Sequence, residues 1–218
     1  MIDIILVGSG GHAKSCIDVI NHTGLYKVAG LVEKNIKKKI NNLGFPIIGT
    51  DKDLKRLRQK FDYALITVGQ INSAEIRLRL FEKLCDLDYK LPVIISPRSH
   101  ISQYAEIGEG TIIMHDVILN ASSKIGKNCI INNKVLIEHD ATIGNSCHIA
   151  TCAIINGGVK VGDKTFIGSG VVTKQGISIG SHSLVGAGVV LKIMLSQIRL
   201  LRVEKFKNYN YCRSRCKS

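Results

Sequence analysis

Of the seven histidines in this 218-residue chain, His139 and His148 are the informative ones. His139 is followed at once by Asp140, within Ile137-Glu138-His139-Asp140-Ala141-Thr142-Ile143, and His148 comes shortly after, in Asn145-Ser146-Cys147-His148. An imidazole with a carboxylate beside it can serve as a general base, the acid holding the ring and stabilising its cation. Two solvated polar corners would look the same, so the residues alone leave both readings open. A second candidate lies near the N-terminus, in Gly8-Ser9-Gly10-Gly11-His12-Ala13-Lys14. It falls between a strand at Ile4–Val7 and an apolar-periodic helix with Cys16, Ile17, Val19 and Ile20. A glycine turn there exposes backbone N–H groups to an anion. Glu33 follows a second strand, Tyr26–Val32, where a ribose or base contact is expected. The fingerprint reads G-x-G-G-H-A, and its sheet has room for only about three to four strands, short of a full dinucleotide fold. A nucleotide or nucleotide-sugar is therefore expected over NAD. A tight turn with no ligand is the plain alternative.

The scaffold for His139 and His148 is written as a repeat. Every sixth residue from Ile95 to Leu191 is aliphatic except Thr173. Two residues before each comes a mostly small one, such as Ala105, Thr111, Ser123, Cys129, Ala141, Cys147 and Ala153. Gly108, Gly126, Gly144, Gly162 and Gly180 recur every eighteen residues, each directly after a series aliphatic. Eighteen is three sixes, so each six-residue unit reads as one short strand plus a corner, and three units make one turn of a solenoid. The aliphatics should stack inside. The glycines should stack at one corner, where the backbone needs freedom. Neither a helical period nor simple alternation explains this spacing.

The first ninety or so residues alternate strand and helix, with further strands at Pro46–Gly49 and Tyr63–Val68 and further helices at Asp53–Gln59 and Ala74–Leu84. That order implies a small parallel α/β sheet. The expected organisation is an α/β domain over 1–94, a β solenoid over 95–191 and a basic tail over 192–218.

Composition excludes several classes. Hydrophobic residues make up 45 % and charged residues 22 %, which is globular. No run is long and apolar enough to span a membrane, and the N-terminus lacks the basic start of a signal peptide. Seven cysteines without metal-type spacing suggest reduced thiols in a cytoplasm. Cys129 and Cys147 fit the small inward register, so no nucleophile is required of Cys147. Cys152 remains a nucleophile in principle. Of the net charge of +13, the tail from Lys192 contributes +7, with eight basic residues and one acidic. With no nucleic-acid motif beside it, the tail reads as a solvated end, and neither nucleic acid nor membrane insertion is expected.

Together, G-S-G-G-H-A-K, the isoleucine-rich hexapeptides and I-E-H-D-A-T-I-G-N-S-C-H-I resemble the bacterial hexapeptide-repeat sugar acetyltransferases over about residues 2–191. These include the UDP-4-amino-sugar N-acetyltransferases and the sialic acid O-acetyltransferases. The resemblance implies a Rossmann-like domain for the sugar nucleotide, a left-handed parallel β-helix, and a homotrimer with acetyl-CoA bound between neighbouring β-helices. No metal is implied. Carried over residue by residue, His139 is the general base, Asp140 orients it, and Asn132 is a polar active-site residue. His148, Gly157, Gly168 and Ala187 fall on the acetyl-CoA side, with the Gly157 N–H facing the thioester carbonyl. Gly8, Gly11, His12 and Glu33 belong to the sugar-nucleotide loop. The implied function is N-acetylation of a UDP-4-amino-sugar for bacterial surface glycans, by direct transfer.

The chain departs from the family after Gly186-Ala187-Gly188-Val189-Val190-Leu191-Lys192, where relatives carry a proline-containing turn and a G-x-P-A-K motif. A divergent cap helix over Gln197–Phe206 is one expectation there. Three other functions stand beside the first. They are sialic acid O-acetylation, a zinc hydratase using His115, His139 and His148, and a non-enzymatic β-helix scaffold.

Overall fold

The computed structural model describes residues 1–34 and 43–193. The expected cap at 197–206, Cys212 and Cys216 lie outside the described residues. The chain opens with β1 (Ile2–Val7), α1 (Gly11–Thr23), β2 (Tyr26–Val32), β3 (Ile47–Gly49), α2 (Leu54–Arg58), β4 (Tyr63–Ile66) and α3 (Glu75–Asp86). The four strands form one parallel sheet in the order β3-β2-β1-β4. β1 sits between strands that follow it in sequence on both sides, so its C-terminal end and that of β4 border a topological switch point, where open α/β sheets bind ligands.

From Ile94 onward, two-residue strands recur every six residues and stack into three parallel sheets of six, six and five strands. Register steps by eighteen: Ile130 pairs with His148, Leu136 with Ile154, and Thr142 with Lys160. The second half is therefore a three-faced parallel β-helix. The first face holds Ile94–Ile95, Ile112–Ile113, Ile130–Ile131, His148–Ile149, Phe166–Ile167 and Leu184–Val185. The second face includes Leu136–Ile137 and the third Thr142–Ile143.

The inner column is the aliphatic series, with Ile113, Leu119, Ile131, Ile137, Ile149, Ile155 and Ile167 all fully buried. Each such side chain contributes roughly 1.5–3 kcal/mol of burial. The small register, from Thr111 to Val171, is buried beside it, including Cys129 and Cys147. The five described cysteines, Cys16, Cys85, Cys129, Cys147 and Cys152, are free thiols. Thr173, the single departure, stays inside because its hydroxyl is occupied: Oγ1 accepts the Asn156 N–H at 2.9 Å.

The eighteen-spaced glycines do stack, but for a different reason from the expected one. Their φ values are not left-handed. A Cβ on Gly126 would lie 2.7 Å from the Gly144 backbone, and one on Gly144 would lie 2.7 Å from the Asp163 nitrogen. The requirement is close approach of successive coils. Left-handed backbone occurs instead at a different corner position every six residues, filled by Asp116, Ser122, Asn128, Lys134, Asp140 and Ser146, with φ between 52 and 62°. All of these but Lys134 have short polar side chains, which tolerate that region best after glycine.

The α/β unit docks on the first face. Cys16, Ile17 and Ile20 of α1 pack in one cluster with Ile94, Ile112, Met114 and Ile130. Arg77 of α3, only 1 % exposed, spans the junction. One of its terminal nitrogens donates to the Ile66 and Val68 carbonyls, the other to the Asn128 carbonyl and side-chain oxygen. Among the described residues no helix is long and apolar enough to cross a membrane.

Candidate active site

The switch point opens into a cavity of about 680 Å³ between the two units. Its walls include the glycine loop with His12, Glu33 at the end of β2, the segment Thr67–Ile71 after β4, and Asn132 and His148 from the β-helix. The glycines differ in what they do. Gly8 has φ +118°, and a Cβ there would lie 2.7 Å from the Val68 nitrogen, so the fold requires glycine. A Cβ on Gly11 would meet nothing within 4 Å, so a ligand can come close to the backbone there. Glu33 faces the cavity, yet one of its carboxylate oxygens is taken by the Ser9 hydroxyl and N–H. It braces the loop as well as bordering the cavity.

The two cavity histidines are held neutral. His148 gives its Nδ1 proton to the Gln70 carbonyl, and its Nε2 accepts from the Asn132 amide at 3.4 Å. Burial and the Arg77 charge push its pKa down to about 4, against the pull of the Gln70 carbonyl. His12 sits 3.3 Å from the Cys16 sulfur, and burial, Arg77 and His148 lower its pKa to about 3. The Cys16 thiol is pushed up to about 12 by burial and is no nucleophile. Gln70 and Arg77 do not stand out in the sequence. Their roles follow from contacts across 76 and 51 residues.

His139 lies elsewhere. It occupies the corner between the second and third faces, whereas Asn132 sits at the corner between the first and second. One full face of the prism separates them, and His139 does not line the cavity. Its Nδ1 is 2.7 Å from the Asp140 carboxylate. Asp140 holds the left-handed corner position, φ 60°, which turns its short side chain back onto its neighbour. That hydrogen bond raises the His139 pKa above its ordinary value, with Asp140 and Glu138 charge adding to it. Nε2 is left free to accept a proton and lies directly over Gly157, the equivalent residue one coil on. A Cβ there would be 2.8 Å from Nε2. Among the described residues, nothing accepts a hydrogen bond from the Gly157 N–H.

Gly168 stacks under Ala187 at the Asn132 corner, where a Cβ would lie 2.5 Å from the Ala187 nitrogen. The expected site residues thus fall into two groups within one chain. His139, Asp140 and Gly157 share one edge. Asn132, His148, Gly168 and Ala187 lie at or beside another, the first two with Gly8, Gly11, His12 and Glu33 around the cavity. The zinc set His115, His139 and His148 is scattered and holds nothing in common.

Residues 3–84 match the family described as the PglD N-terminal domain. Residues 104–139 match the bacterial transferase hexapeptide, and 158–192 the hexapeptide repeat of succinyl-transferase. Among solved structures, PerB from Caulobacter crescentus, in complex with CoA and GDP-perosamine, is 32 % identical with a TM-score of 0.81, covering 88 % of this chain and 90 % of that one. The chain belongs to the hexapeptide-repeat sugar acetyltransferases. The acetyltransferase domain of PglB from Neisseria gonorrhoeae, in complex with acetyl coenzyme A, is 28 % identical, with a TM-score of 0.82, covering 88 % of this chain and 92 % of that one. WeeI from Acinetobacter baumannii shares the fold at 23 % identity and a TM-score of 0.75, covering 90 % and 94 %. No curated protein matches by sequence. As a member of this family, the chain is an acyltransferase, and its two groups of site residues can be read in that light.

Proposed function

We propose that this acetyltransferase transfers the acetyl group of acetyl-CoA to the amine of a UDP-linked 4-amino-sugar, with His139 as general base. The observation that carries the reading is the His139 corner: Nδ1 tied to Asp140, Nε2 free, and a glycine beneath the ring. Relatives solved with acetyl coenzyme A, or with CoA and GDP-perosamine, support the donor and the acceptor class.

Acetyl-CoA supplies the thioester. The chain's part is to hold the sugar nucleotide in the cavity, its phosphates against the backbone of Gly11 at the start of α1. His139 Nε2 removes the amine proton as the C–N bond forms, and Asp140 stabilises the imidazolium, which returns the proton to the departing thiolate. The Gly157 N–H suits a developing oxyanion, a role commonly worth about 10²–10³-fold in rate.

The cavity and the base occupy different edges of one prism, so we assign the working site to a homotrimer. One copy offers His139 to the cavity of its neighbour, with acetyl-CoA between them along Asn132, His148, Gly168 and Ala187. The free thiols agree with a reducing cytoplasm.

The test is CoA release with three acceptors: a UDP-linked 4-amino-sugar, its GDP-linked counterpart and a sialic acid. Release with the first above the others is expected. Preference for the GDP sugar corrects the base, preference for sialic acid makes the enzyme an O-acetyltransferase, and release with no amino sugar sinks the reading. The shared site has its own check. Two variants, His139→Ala without the base and Gly11→Val assayed at sugar-nucleotide concentrations far below its raised KM, should recover activity when mixed and reassembled, because some trimers then pair a sound base with a sound cavity. Continued inactivity rejects the shared site.

A further inference from the structure

A second group of chemistry-bearing residues lies outside the cavity, one coil before Asn132 on the same edge of the β-helix. Asp18 and His22 are one turn apart on α1, and His115 comes from the β-helix corner beneath them. One donor atom from each lies within 4.8 Å of the others. His115 Nε2 is 2.9 Å from Asp18 Oδ2, and His22 Nδ1 is 3.6 Å from Asp18 Oδ1 and 2.8 Å from the Asp18 main-chain carbonyl, a bond that an ion on this nitrogen would replace. The two imidazoles meet edge to face at 5.5 Å. Asp18 and His22 are more than half exposed, so the site is open to solvent on one side.

We propose that Asp18, His22 and His115 form a binding site for a divalent transition cation, zinc being the best match, that clamps α1 to the β-helix. Two imidazoles and one carboxylate suit zinc, with water as a fourth ligand. Tetrahedral zinc with bonds of about 2.0–2.1 Å holds its donors roughly 3.3 Å apart, and the His115–Asp18 pair at 2.9 Å is already near that separation. Residues i and i+4 present both α1 ligands from one helix face.

The third ligand is the one most firmly held. His115 is 16 % exposed at its side chain, and its Nδ1 lies 2.7 Å from the Ser96 hydroxyl. A hydroxyl both donates and accepts, so Ser96 serves either tautomer. Without an ion it donates to Nδ1, leaving the Nε2 proton for Asp18. With an ion on Nε2 it accepts the proton from Nδ1, the outer-shell support that metal-bound histidines commonly have.

A Ser-His-Asp relay is the other chemistry this row suggests. Ser96 is 1 % exposed and its oxygen already accepts the Arg98 N–H, so no substrate can reach it. The cation would also leave the transfer reaction untouched, since none of the three ligands borders the cavity. Its work is mechanical. The α1 N-terminus forms one wall of the cavity, and the clamp fixes that helix to the rung beside it.

The experiment is a zinc titration of the chelator-stripped full chain by calorimetry, with the melting temperature followed in parallel. We expect one site per chain and a rise in melting temperature of roughly 5–10 °C at a hundredfold excess over Kd. Cobalt(II) should give the visible absorption of a tetrahedral site. His115→Ala and Asp18→Asn should each weaken binding by at least ~10-fold. His22→Ala, at an exposed helix position, should do the same without disturbing the fold, as an unchanged circular dichroism spectrum would verify. Absence of binding at micromolar zinc overturns the proposal. So does zinc binding that all three variants retain, because the ion would then sit elsewhere.

Discussion

Gly157→Ala is the most informative single change. The backbone at 157 is not left-handed, so alanine adds no φ strain. Its Cβ would lie 2.8 Å from both Cε1 and Nε2 of His139, well inside van der Waals contact. The ring must give, because it ends a flexible, 56 % exposed side chain, whereas the glycine backbone is pinned by the next coil through its carbonyl. Restoring an ordinary carbon contact of about 3.6–4 Å moves the imidazole by roughly 1 Å. A displacement of that size at a reacting group costs on the order of 10²-fold in rate, or about 2.7 kcal/mol of barrier. Stability should barely change. The assay is steady-state CoA release, with melting followed alongside. The expected result is a kcat about a hundredfold lower, an unchanged melting temperature, and no further loss when Gly157→Ala is added to His139→Ala. Full activity in Gly157→Ala refutes the argument. A loss just as large in the His139→Ala background also refutes it, because the added methyl would then act on something other than the ring.

Asp140→Asn removes the main cause of the raised His139 pKa, so the acidic limb of the kcat/KM profile should move down toward 6.5; an unmoved limb means the carboxylate does not tune the base. Replacing Gly11 by valine should raise the KM for the sugar nucleotide at constant melting temperature, since the side chain enters open cavity, whereas Gly8→Ala should lower the melting temperature through its clash with Val68. His148 has its pKa pushed down to about 4, so the folded state binds fewer protons than the unfolded one below 6.5, and stability should fall as pH drops from 6.5 toward 4. That ring alone accounts for about 2 kcal/mol lost by pH 5, measurable by denaturant titration at pH 7 and pH 5, with the difference shrinking in His148→Asn. Arg77→Leu strands four oxygen acceptors across the junction and should destabilise the chain by about 3 kcal/mol, read the same way.

The solenoid was legible because its residues repeat. A period of six with an aliphatic in every unit leaves one arrangement that buries them all, and Thr173 is admitted because its hydroxyl finds the Asn156 N–H. The α/β unit was legible from alternation and from the loop at Gly8. The glycine spacing shows that these residues stack, but not that close approach of coils is the reason. Spacing reveals that a side chain is absent; only the distance to the next coil reveals why. The His139–Asp140 pair could be proposed because the two are adjacent, and adjacency survives folding. Gln70 and Arg77 could not, because nothing local marks them. Their partners on the β-helix, Ser146 and Asn128, are far away in sequence and near only after the units dock.

Sequence by itself determined the three-sided stack, the order of the two units and the chemical types at each corner, since these depend on periodicity and on contacts between near neighbours. Tertiary structure alone decided which residues share a space. It set His12, Asn132 and His148 around one cavity, kept His139 a face away, and joined α1 to the rung at His115. Those juxtapositions depend on how one unit's helix packs against another unit's sheet, a geometry fixed by the whole buried junction that no short stretch of residues encodes.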